Sequence, residues 1–235
     1  MVLLRSLIYL LLQLVFTPLF LLVGLCVIPL SPMRRYAYIS KWAKISLWML
    51  RVVCGVRMEV RGRENVPKEP CLILCKHQSA WETMALQLVF PPQVWVLKRE
   101  LLRIPFFGWG LAMTSPIAIN RGETREAMRT LLREGKDRLA RGFCVVIFPE
   151  GTRVPYGERG KYKIGGALLG VSGTAPVVPV AHNAGKLWGK NAFLKYPGLI
   201  TLSIGQPIYP HKGMKADELN RQVEEWIEAE IPKLP

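Results

Sequence analysis

The chain opens with an apolar run in which no charged residue occurs between Ser6 and Met33. At ~1.5 Å per residue, a helix of this length can cross a bilayer core of ~30 Å. No small-x-small site ends the run, so a retained membrane segment fits better than a cleaved signal peptide. Pro18 divides the run into two stretches that are each too short to span, which suits a kinked or re-entrant segment. The pattern is therefore consistent with a spanning helix and with a half-inserted one.

A mixed apolar and basic stretch follows, from Arg34 to Val53. Tryptophan and leucine side chains alternate there with lysine and arginine, a composition suited to a helix at the level of the lipid headgroups. A basic helix packed on the globular domain is the alternative. Basic residues are denser after the apolar run than before it, and this bias predicts that the following domain lies in the cytoplasm. We expect a membrane anchor with an interfacial helix over residues 1–54 and one globular domain over residues 55–235.

Downstream of residue 55, short β-rich runs alternate with helical patterns, which predicts an α/β domain with a mainly parallel sheet flanked by helices. The predicted strands are Arg57–Val60, Cys71–Cys75, Gln93–Leu97, Pro116–Ile119, Phe143–Phe148, Pro176–Val180 and Leu199–Ile204. The predicted helices are Ser79–Val89, Glu123–Ala140, Gly166–Val171 and Lys215–Ile231. Apolar residues recur at helical spacing in the last of these, so it should cover the sheet. Proline and glycine punctuate residues 185–198, which predicts a surface loop.

The net charge is +15, from 32 lysines and arginines against 17 aspartates and glutamates. Such a surplus attracts nucleic acid or anionic lipid. The sequence has no zinc-ligand spacing, RNP-type aromatic motif or bZIP-like basic helix, and its basic residues are spread along the chain. Beside an apolar N-terminus, anionic membrane lipids are the expected partner and nucleic acid is not. The five cysteines are an odd number, with one inside the apolar run, and we interpret them as reduced and mostly buried thiols.

The first candidate for chemistry is His77, which directly follows a predicted apolar strand, with Glu82 five residues later. On one continuous helix these side chains would point ~140° apart, given ~100° per residue. If the helix begins only at Ser79, the glutamate can fold back and orient the imidazole as a general base. The alternative is that Ser79-Ala80-Trp81-Glu82 forms a capping box, in which the glutamate bonds the N-cap amide.

The second candidate is the segment Phe148-Pro149-Glu150-Gly151-Thr152-Arg153, which ends another predicted strand. Ligand sites gather at the carboxyl edge of α/β sheets. Gly151 would let backbone amides approach a phosphate, and Arg153 could clamp it with two parallel donors. A tight turn with an exposed arginine is the plain alternative.

Two further basic groups follow predicted strands, Lys98 in Lys98-Arg99-Glu100 and Arg121 in Asn120-Arg121-Gly122. Taken singly, each is consistent with a solvated surface charge. If the sheet is mainly parallel, however, these strand ends lie on the same rim as His77 and Arg153. We therefore expect the basic groups to converge on one site.

These blocks, in this order, resemble the glycerolipid acyltransferase family, specifically its 1-acyl-sn-glycerol-3-phosphate acyltransferases. The family's His-x4-Asp block is similar to His77 through Glu82, although glutamate stands here where the family usually has aspartate. Its other blocks are similar to Lys98 through Leu101, Asn120-Arg121, Phe148 to Arg153 and Val178 to Val180. The resemblance covers roughly residues 70 to 185, and an ordered set of motifs is more specific than any one of them.

The resemblance implies an α/β acyltransferase fold with a membrane-embedded N-terminal helical motif. It implies that His77 deprotonates the sn-2 hydroxyl of a lysophospholipid as this attacks a fatty acyl thioester, in the synthesis of phosphatidic acid. Glu82 would orient His77, and Lys98 is our candidate for stabilising the oxyanion or organising the site. Arg121 and Arg153 would hold the phosphate, and Glu150, Gly151 and Thr152 belong to the substrate-binding motif.

We expect the acyl donor to be acyl-CoA or acyl-carrier protein, with no other cofactor and no metal. The expected location is the bacterial inner membrane, with the catalytic domain in the cytoplasm. A different lysolipid acceptor is the alternative within the same class, and a non-catalytic lipid-binding protein is the alternative outside it. A covalent acyl-serine route is disfavoured, because Gly170-Val171-Ser172-Gly173 lacks the spacing of a nucleophile elbow.

Overall fold

A computed structural model describes residues 1–120, 122, 124–173 and 175–235. Its strands are β1 Val56–Arg61, β2 Leu72–Cys75, β3 Gln93–Lys98, β4 Ile117–Ile119, β5 Cys144–Ile147, β6 Val177–His182 and β7 Gly198–Ile204. Its α-helices are α1 Val2–Gly24, α2 Pro32–Cys54, α3 Trp81–Val89, α4 Phe107–Met113, α5 Thr124–Ala140, α6 Gly165–Val171, α7 Ala184–Leu187 and α8 Ala216–Glu230. The predicted α/β domain is therefore confirmed, and each predicted strand matches an observed one to within two residues.

The described strands form one sheet in the order β1-β7-β6-β2-β5-β3-β4. Every neighbouring pair is parallel except β6 and β7, which are antiparallel. In the central strands β2, β5 and β6 every residue is buried. Such continuous apolar strands are typical of a sheet covered on both faces. The mainly parallel sheet brings the ends of β2, β5, β3 and β4 to a common edge.

The C-terminal helix α8 covers the sheet as its periodicity predicts. Leu219, Val223 and Ile227 are fully buried along one side of it. The Trp226 ring lies so close to Gly205 that a Cβ there would be 2.7 Å from it. Glycine at position 205 therefore permits the close approach of α8 to the chain after β7.

Two described helices were not predicted. α4 contains two glycines in seven residues, which lowers its intrinsic helix propensity. The short α7 lies partly within residues 185–198, so the prediction of a plain surface loop there is wrong. This segment also carries Lys195, which is buried rather than solvated. At both α4 and α7, packing against other parts of the fold stabilises a helix where nearby proline and glycine residues disfavour one.

The N-terminal segment is an antiparallel helical hairpin made of α1 and α2. α1 runs through Pro18 without ending and is followed by a short turn. Polar contacts join the two helices along their length: Trp42 Nε1 donates to Thr17 Oγ1 at 3.0 Å, and the Tyr38 hydroxyl donates to the Phe20 carbonyl at 2.7 Å. The predicted division at Pro18 is therefore not seen, and the chain reverses only after Gly24.

The open end of this hairpin is fixed to the α/β domain. The backbone amide of Lys195 donates to Ser6 Oγ at 2.9 Å. The ammonium of the same lysine lies 4.8 Å from the ring centre of Trp188 and 5.5 Å from that of Tyr9. Between residues 2 and 27 the described chain has one helix long and apolar enough to cross a membrane, and most of its side chains face outward.

Candidate active site

His77 lies in the loop between β2 and α3, at the edge of the sheet. Its ring stacks on Phe148, with 3.9 Å between ring centres and 14° between planes. Its Nδ1 is 2.7 Å from Glu82 Oε1. With Nδ1 bound to this carboxylate, Nε2 is the nitrogen left to act as a base. The stacking and the carboxylate together fix the plane of the imidazole.

Glu82 combines the two roles that the sequence analysis set against each other. Its Oε1 accepts hydrogen bonds from the backbone amides of Gln78 and Ser79 at 3.1 and 3.0 Å, as well as contacting His77. The helix begins at Trp81, two residues later than predicted, and the Trp81 amide donates to Ser79 Oγ. One carboxylate therefore both holds the backbone amides that lead into the helix and orients the histidine.

The carboxyl group of Glu82 is fully buried but favours the charged form. Burial alone opposes ionisation, yet His182, His77 and the Ser79 amide more than offset it and hold the pKa of Glu82 below its usual range. Carboxylates that accept several amide hydrogen bonds commonly behave in this way. An ionised Glu82 can stabilise the imidazolium that forms when His77 accepts a proton.

A second histidine, His182, lies beneath this pair and is fully buried at the end of β6. Its ring bridges two backbone groups, with Nε2 2.9 Å from the carbonyl oxygen of Lys76 and Nδ1 accepting from the Ala184 amide at 3.2 Å. Burial lowers its pKa, although Glu82 opposes this, so the ring is neutral at pH 7. His182 thus supports residues 76–82, which we call the catalytic loop, and it does so as the Nε2–H tautomer. The sequence analysis did not identify it, because it adjoins the Val-Pro-Val block without belonging to any recognised motif.

Glu150 was assigned to substrate binding, but its side chain lies beneath the catalytic loop and not in the open site. Its Oε2 accepts from the backbone amide of His77 at 2.8 Å, and its Oε1 pairs with the Lys76 ammonium at 2.8 Å. Burial raises the pKa of Glu150, although the lysine opposes this. We therefore assign Glu150 to holding the loop that carries His77.

Lys76 is the centre of a buried ionic cluster that the sequence analysis also missed. Its ammonium is fully buried and lies 2.7 Å from Glu228 Oε1, in addition to its contact with Glu150. The Tyr162 hydroxyl donates to the same Glu228 oxygen at 2.8 Å. Since Glu228 belongs to α8, this cluster connects the C-terminal helix to the residue next to His77.

His77 opens into a cavity of about 680 Å³, which we call the catalytic cavity. The predicted site residues that line it are His77, Lys98, Gly151, Thr152 and Arg153. Arg121 lies outside the described residues. Its neighbour Asn120 lines a smaller cavity of about 180 Å³, together with Arg99, Glu100 and Arg103. The structure therefore brings three of the four predicted strand-end groups into one site.

The loop that carries Arg153 is tied directly to the catalytic loop. The Val154 amide donates to the carbonyl oxygen of His77 at 2.8 Å. Gly151 has a φ of +69°, and a Cβ there would approach Lys163 Nζ to 2.9 Å, so the turn requires glycine. The buried Nε of Arg153 has no hydrogen-bond partner among the described residues. A guanidinium group with an unused buried donor, on the wall of a cavity, is suited to binding an anion.

The remainder of the catalytic cavity is largely apolar. It is lined by side chains of the hairpin and of α4, including Leu10, Leu21, Phe107 and Leu111. One continuous space therefore joins a general base and fixed positive charges to a surface suited to hydrocarbon chains.

Comparison with known proteins agrees with this geometry. The family model described as "Acyltransferase" matches residues 57–183. A 1-acyl-sn-glycerol-3-phosphate acyltransferase of Pseudomonas aeruginosa is 48% identical over 203 residues, which are 85% of this chain and 79% of that protein. A protein of the same name from Saccharomyces cerevisiae is 30% identical over 148 residues. These residues are 61% of this chain and 49% of the yeast protein.

The fold also has a counterpart among solved structures. The crystal structure of the 1-acyl-sn-glycerophosphate (LPA) acyltransferase PlsC from Thermotoga maritima superposes with a TM-score of 0.80. The alignment covers 99% of this chain and 95% of that one at 23% sequence identity, and this likeness concerns the fold. From the match over residues 57–183 and the Pseudomonas relative, the chain belongs to the acyltransferase family.

Proposed function

We propose that the protein transfers a fatty acyl group from an acyl thioester to the sn-2 hydroxyl of 1-acyl-glycerol-3-phosphate, which gives phosphatidic acid. The observation that carries this proposal is the His77–Glu82 pair at 2.7 Å, opening into a cavity with both basic and apolar walls. The names of the Pseudomonas and yeast relatives support the choice of acceptor.

In the proposed reaction, Nε2 of His77 takes the proton of the acceptor hydroxyl as its oxygen attacks the thioester carbonyl carbon. Lys98 stabilises the oxyanion. The carbon–sulfur bond then breaks, the thiol leaves with the proton from the imidazolium, and the new ester remains. Because a thiolate is a good leaving group, no covalent intermediate on the protein and no further cofactor is required.

The acceptor's phosphate monoester would be held by Arg153, with Arg121 assigned to the same task by its motif. A charge-assisted hydrogen bond contributes about 1.5–3 kcal/mol, so Arg153→Ala should weaken use of lysophosphatidic acid by roughly tenfold to a hundredfold in kcat/KM. A lysophospholipid with a larger headgroup is the second candidate acceptor, because its phosphodiester also presents anionic oxygens. The donor would be acyl-CoA or acyl-carrier protein, both of which present a thioester.

We place the hairpin in one leaflet of the inner membrane, with the catalytic domain on the cytoplasmic side. The two ends of the hairpin lie together on the domain, since Cys54 Sγ is 3.7 Å from the carbonyl oxygen of Arg5. If α1 crossed the bilayer, Arg34 and Arg35 would lie on the far side. The amphipathic α2 would then have to return through the lipid with three further basic residues, which is costly. A half-inserted hairpin avoids this crossing.

The test is acyl transfer by the purified, detergent-solubilised protein, with oleoyl and palmitoyl thioesters and a panel of lysolipids. Wild type should form phosphatidic acid from lysophosphatidic acid, and His77→Ala should lose roughly 10²- to 10⁴-fold in rate. His211→Ala is the matched control, because this histidine is exposed and its Nδ1 lies 3.3 Å from the carbonyl oxygen of Lys212, away from the catalytic cavity.

The outcomes separate the parts of the proposal. Activity of His77→Ala equal to that of wild type would exclude the proposed base. Activity confined to another lysolipid would keep the mechanism and change the acceptor. Folded wild-type protein that is inactive with every donor and acceptor would leave lipid binding without catalysis.

A further inference from the structure

An exposed apolar cluster follows β3, in the turn before α4 and in the first residues of α4. We call residues 104–109 the aromatic loop. Four of its side chains are large, apolar and 39–50% exposed: Ile104, Phe106, Phe107 and Trp109. The Phe106 and Trp109 rings lie 5.1 Å apart and form one patch. Contiguous apolar patches on a surface mark interaction sites more often than isolated apolar residues do.

The backbone holds this outward arrangement in place. Phe106 has a φ of +60°, a conformation that costs a non-glycine residue ~1–3 kcal/mol. The amides of Phe107 and Gly108 donate to the carbonyls of Pro105 and Ile104, both at 2.7 Å. A Cβ on Gly108 would lie 2.4 Å from the carbonyl oxygen of Leu102, so only glycine fits there. The backbone of the loop, with its two hydrogen bonds and the strained φ of Phe106, therefore holds the aromatic side chains in exposed positions.

The aromatic loop leads directly into the helix that packs on α1. At Gly110 a Cβ would be 2.8 Å from Leu21, and Met113 lies next to Gly24, so α4 follows the C-terminal half of α1. The outward side of α1 is itself apolar, with exposed residues such as Leu19 and Leu22. The patch thus belongs to a segment that packs directly on the helix proposed above to face lipid.

Charge and side-chain chemistry identify the partner. Arg99 and Arg103 precede the loop, and aromatic side chains beside basic ones are the composition of the lipid–water interface. We infer that the aromatic loop is a second membrane-inserted element, which places Phe106 and Trp109 at the headgroup level of an anionic bilayer beside α1. This inference rests on the proposed membrane association of the hairpin.

Its consequence concerns how substrates enter. Phe107 and Leu111 line the catalytic cavity together with Thr17 and Leu21 of α1. With both α1 and the aromatic loop in the bilayer surface, the rim of the cavity between them lies in lipid. A lysolipid can then reach His77 without its acyl chain crossing water.

The test measures the depth of the loop with a fluorophore attached to a cysteine. In a Cys26→Ser background, which removes the exposed one of the five free thiols, Trp109→Cys carries an environment-sensitive dye. Tyr209→Cys is the matched control, since this aromatic side chain is also exposed and its hydroxyl lies 3.5 Å from Glu69. Vesicles of phosphatidylcholine and phosphatidylglycerol contain a nitroxide quencher on the acyl chain.

At position 109 the dye should lose about half of its emission or more, as for a group at the boundary between headgroups and acyl chains, while the dye at position 209 keeps its emission. Equal emission at both positions would overturn the inference. A change at position 109 without vesicles, which grows with protein concentration, would also overturn it and indicate a second copy of the chain as the partner.

An activity measurement provides the second arm. Phe106→Ser with Trp109→Ser should lower acyl transfer to vesicle-borne acceptor several-fold and leave transfer in detergent micelles unchanged. Equal loss in both media would contradict a membrane role. Because the quenching readout needs no turnover, failure of the proposed reaction would not be confused with failure of this inference.

Discussion

The catalytic loop and the hairpin use opposite kinds of contact. Between residues 76 and 82, backbone and side-chain groups are joined by short polar contacts, many of them at 2.7–3.1 Å. Along α1, most side chains are leucine, isoleucine and valine that face outward. A few hydrogen bonds connect α1 to α2, and apolar surface provides the rest.

This difference matches what each region must do. A general base works only when its ring is held in position, which directional hydrogen bonds and ion pairs achieve. A lipid-facing helix needs apolar surface and no directional partner outside the protein. The catalytic loop finds its polar partners among the described residues, whereas the outward side of α1 leaves apolar surface that these residues do not cover. Substitutions should therefore be most severe at the loop.

The strongest test of this contrast is Lys76→Met. It leaves the buried Glu150 and the half-buried Glu228 without their shared cation, and breaking a buried ion pair costs about 3–5 kcal/mol of unfolding free energy. Turnover should also fall, because Glu150 holds the His77 amide. Lys233→Met removes a surface partner of Glu230 and should cost less than about 1 kcal/mol. Denaturant unfolding in detergent measures both, and equal losses would refute the contrast.

Glu82→Gln should reduce stability and turnover together, because one carboxylate serves both the helix start and His77. Loss of charge-assisted hydrogen bonds predicts about 1.5–3 kcal/mol of unfolding free energy. Unfolding and initial rates are measured on the same preparation, with Glu225→Gln on the exposed side of α8 as the control. Loss of stability alone would exclude the role of Glu82 at His77, and loss of turnover alone would exclude its role at the start of the helix.

The same variant predicts a pH dependence. The pKa of Glu82 in the folded protein lies below its usual value of 4.5, so its ionisation stabilises the fold. This contribution is fully present above pH 4.5 and is lost as the pH falls through the folded value. The difference in unfolding free energy between wild type and Glu82→Gln should therefore be constant near neutrality and shrink in acid. A difference that grows as the pH falls would contradict the assignment.

The smallest effect is expected in the hairpin. Trp42→Phe removes the hydrogen bond to Thr17 Oγ1 and should cost about 0.5–1.5 kcal/mol. Trp48→Phe alters an exposed tryptophan of the same helix and should change stability by less than about 0.5 kcal/mol. Thermal unfolding in detergent compares them. A loss at Trp42 as large as that at Lys76 would show that the hairpin, too, depends on directional contacts.

Much of the fold could be predicted because the β-rich runs and the 3.6-residue periodicity of α8 are local signals. The convergence of His77, Lys98 and Arg153 could be predicted as well, since the ends of parallel strands meet at one edge. The two-glycine helix α4 and the short α7 could not, because contacts with distant residues, such as Leu21 against Gly110, stabilise what local propensity disfavours.

The supporting residues of the site were the harder part. The residues next to Lys76 and His182 in the sequence do not indicate the partners of these side chains. Lys76 pairs with Glu228, and His182 lies beside the Glu82 carboxylate. The partners of Lys76 and His182 lie far away in the chain. A lysine side chain is also usually exposed, so the sequence gives no reason to expect a buried one at position 76. The motif drew attention to Glu150 but could not give the direction of its side chain, which depends on its ion pair with Lys76.

The attachment of Ser6 to Lys195 has a consequence for the order in which the protein is made. These residues are separated by 189 positions, so Ser6 is synthesised well before the residue with which it pairs. At ~5–20 residues per second, the interval is roughly 10 to 40 s. Throughout that time α1 lacks the contact with Lys195 that fixes it to the α/β domain. This contact therefore forms only after the strands β1 to β6 have been synthesised.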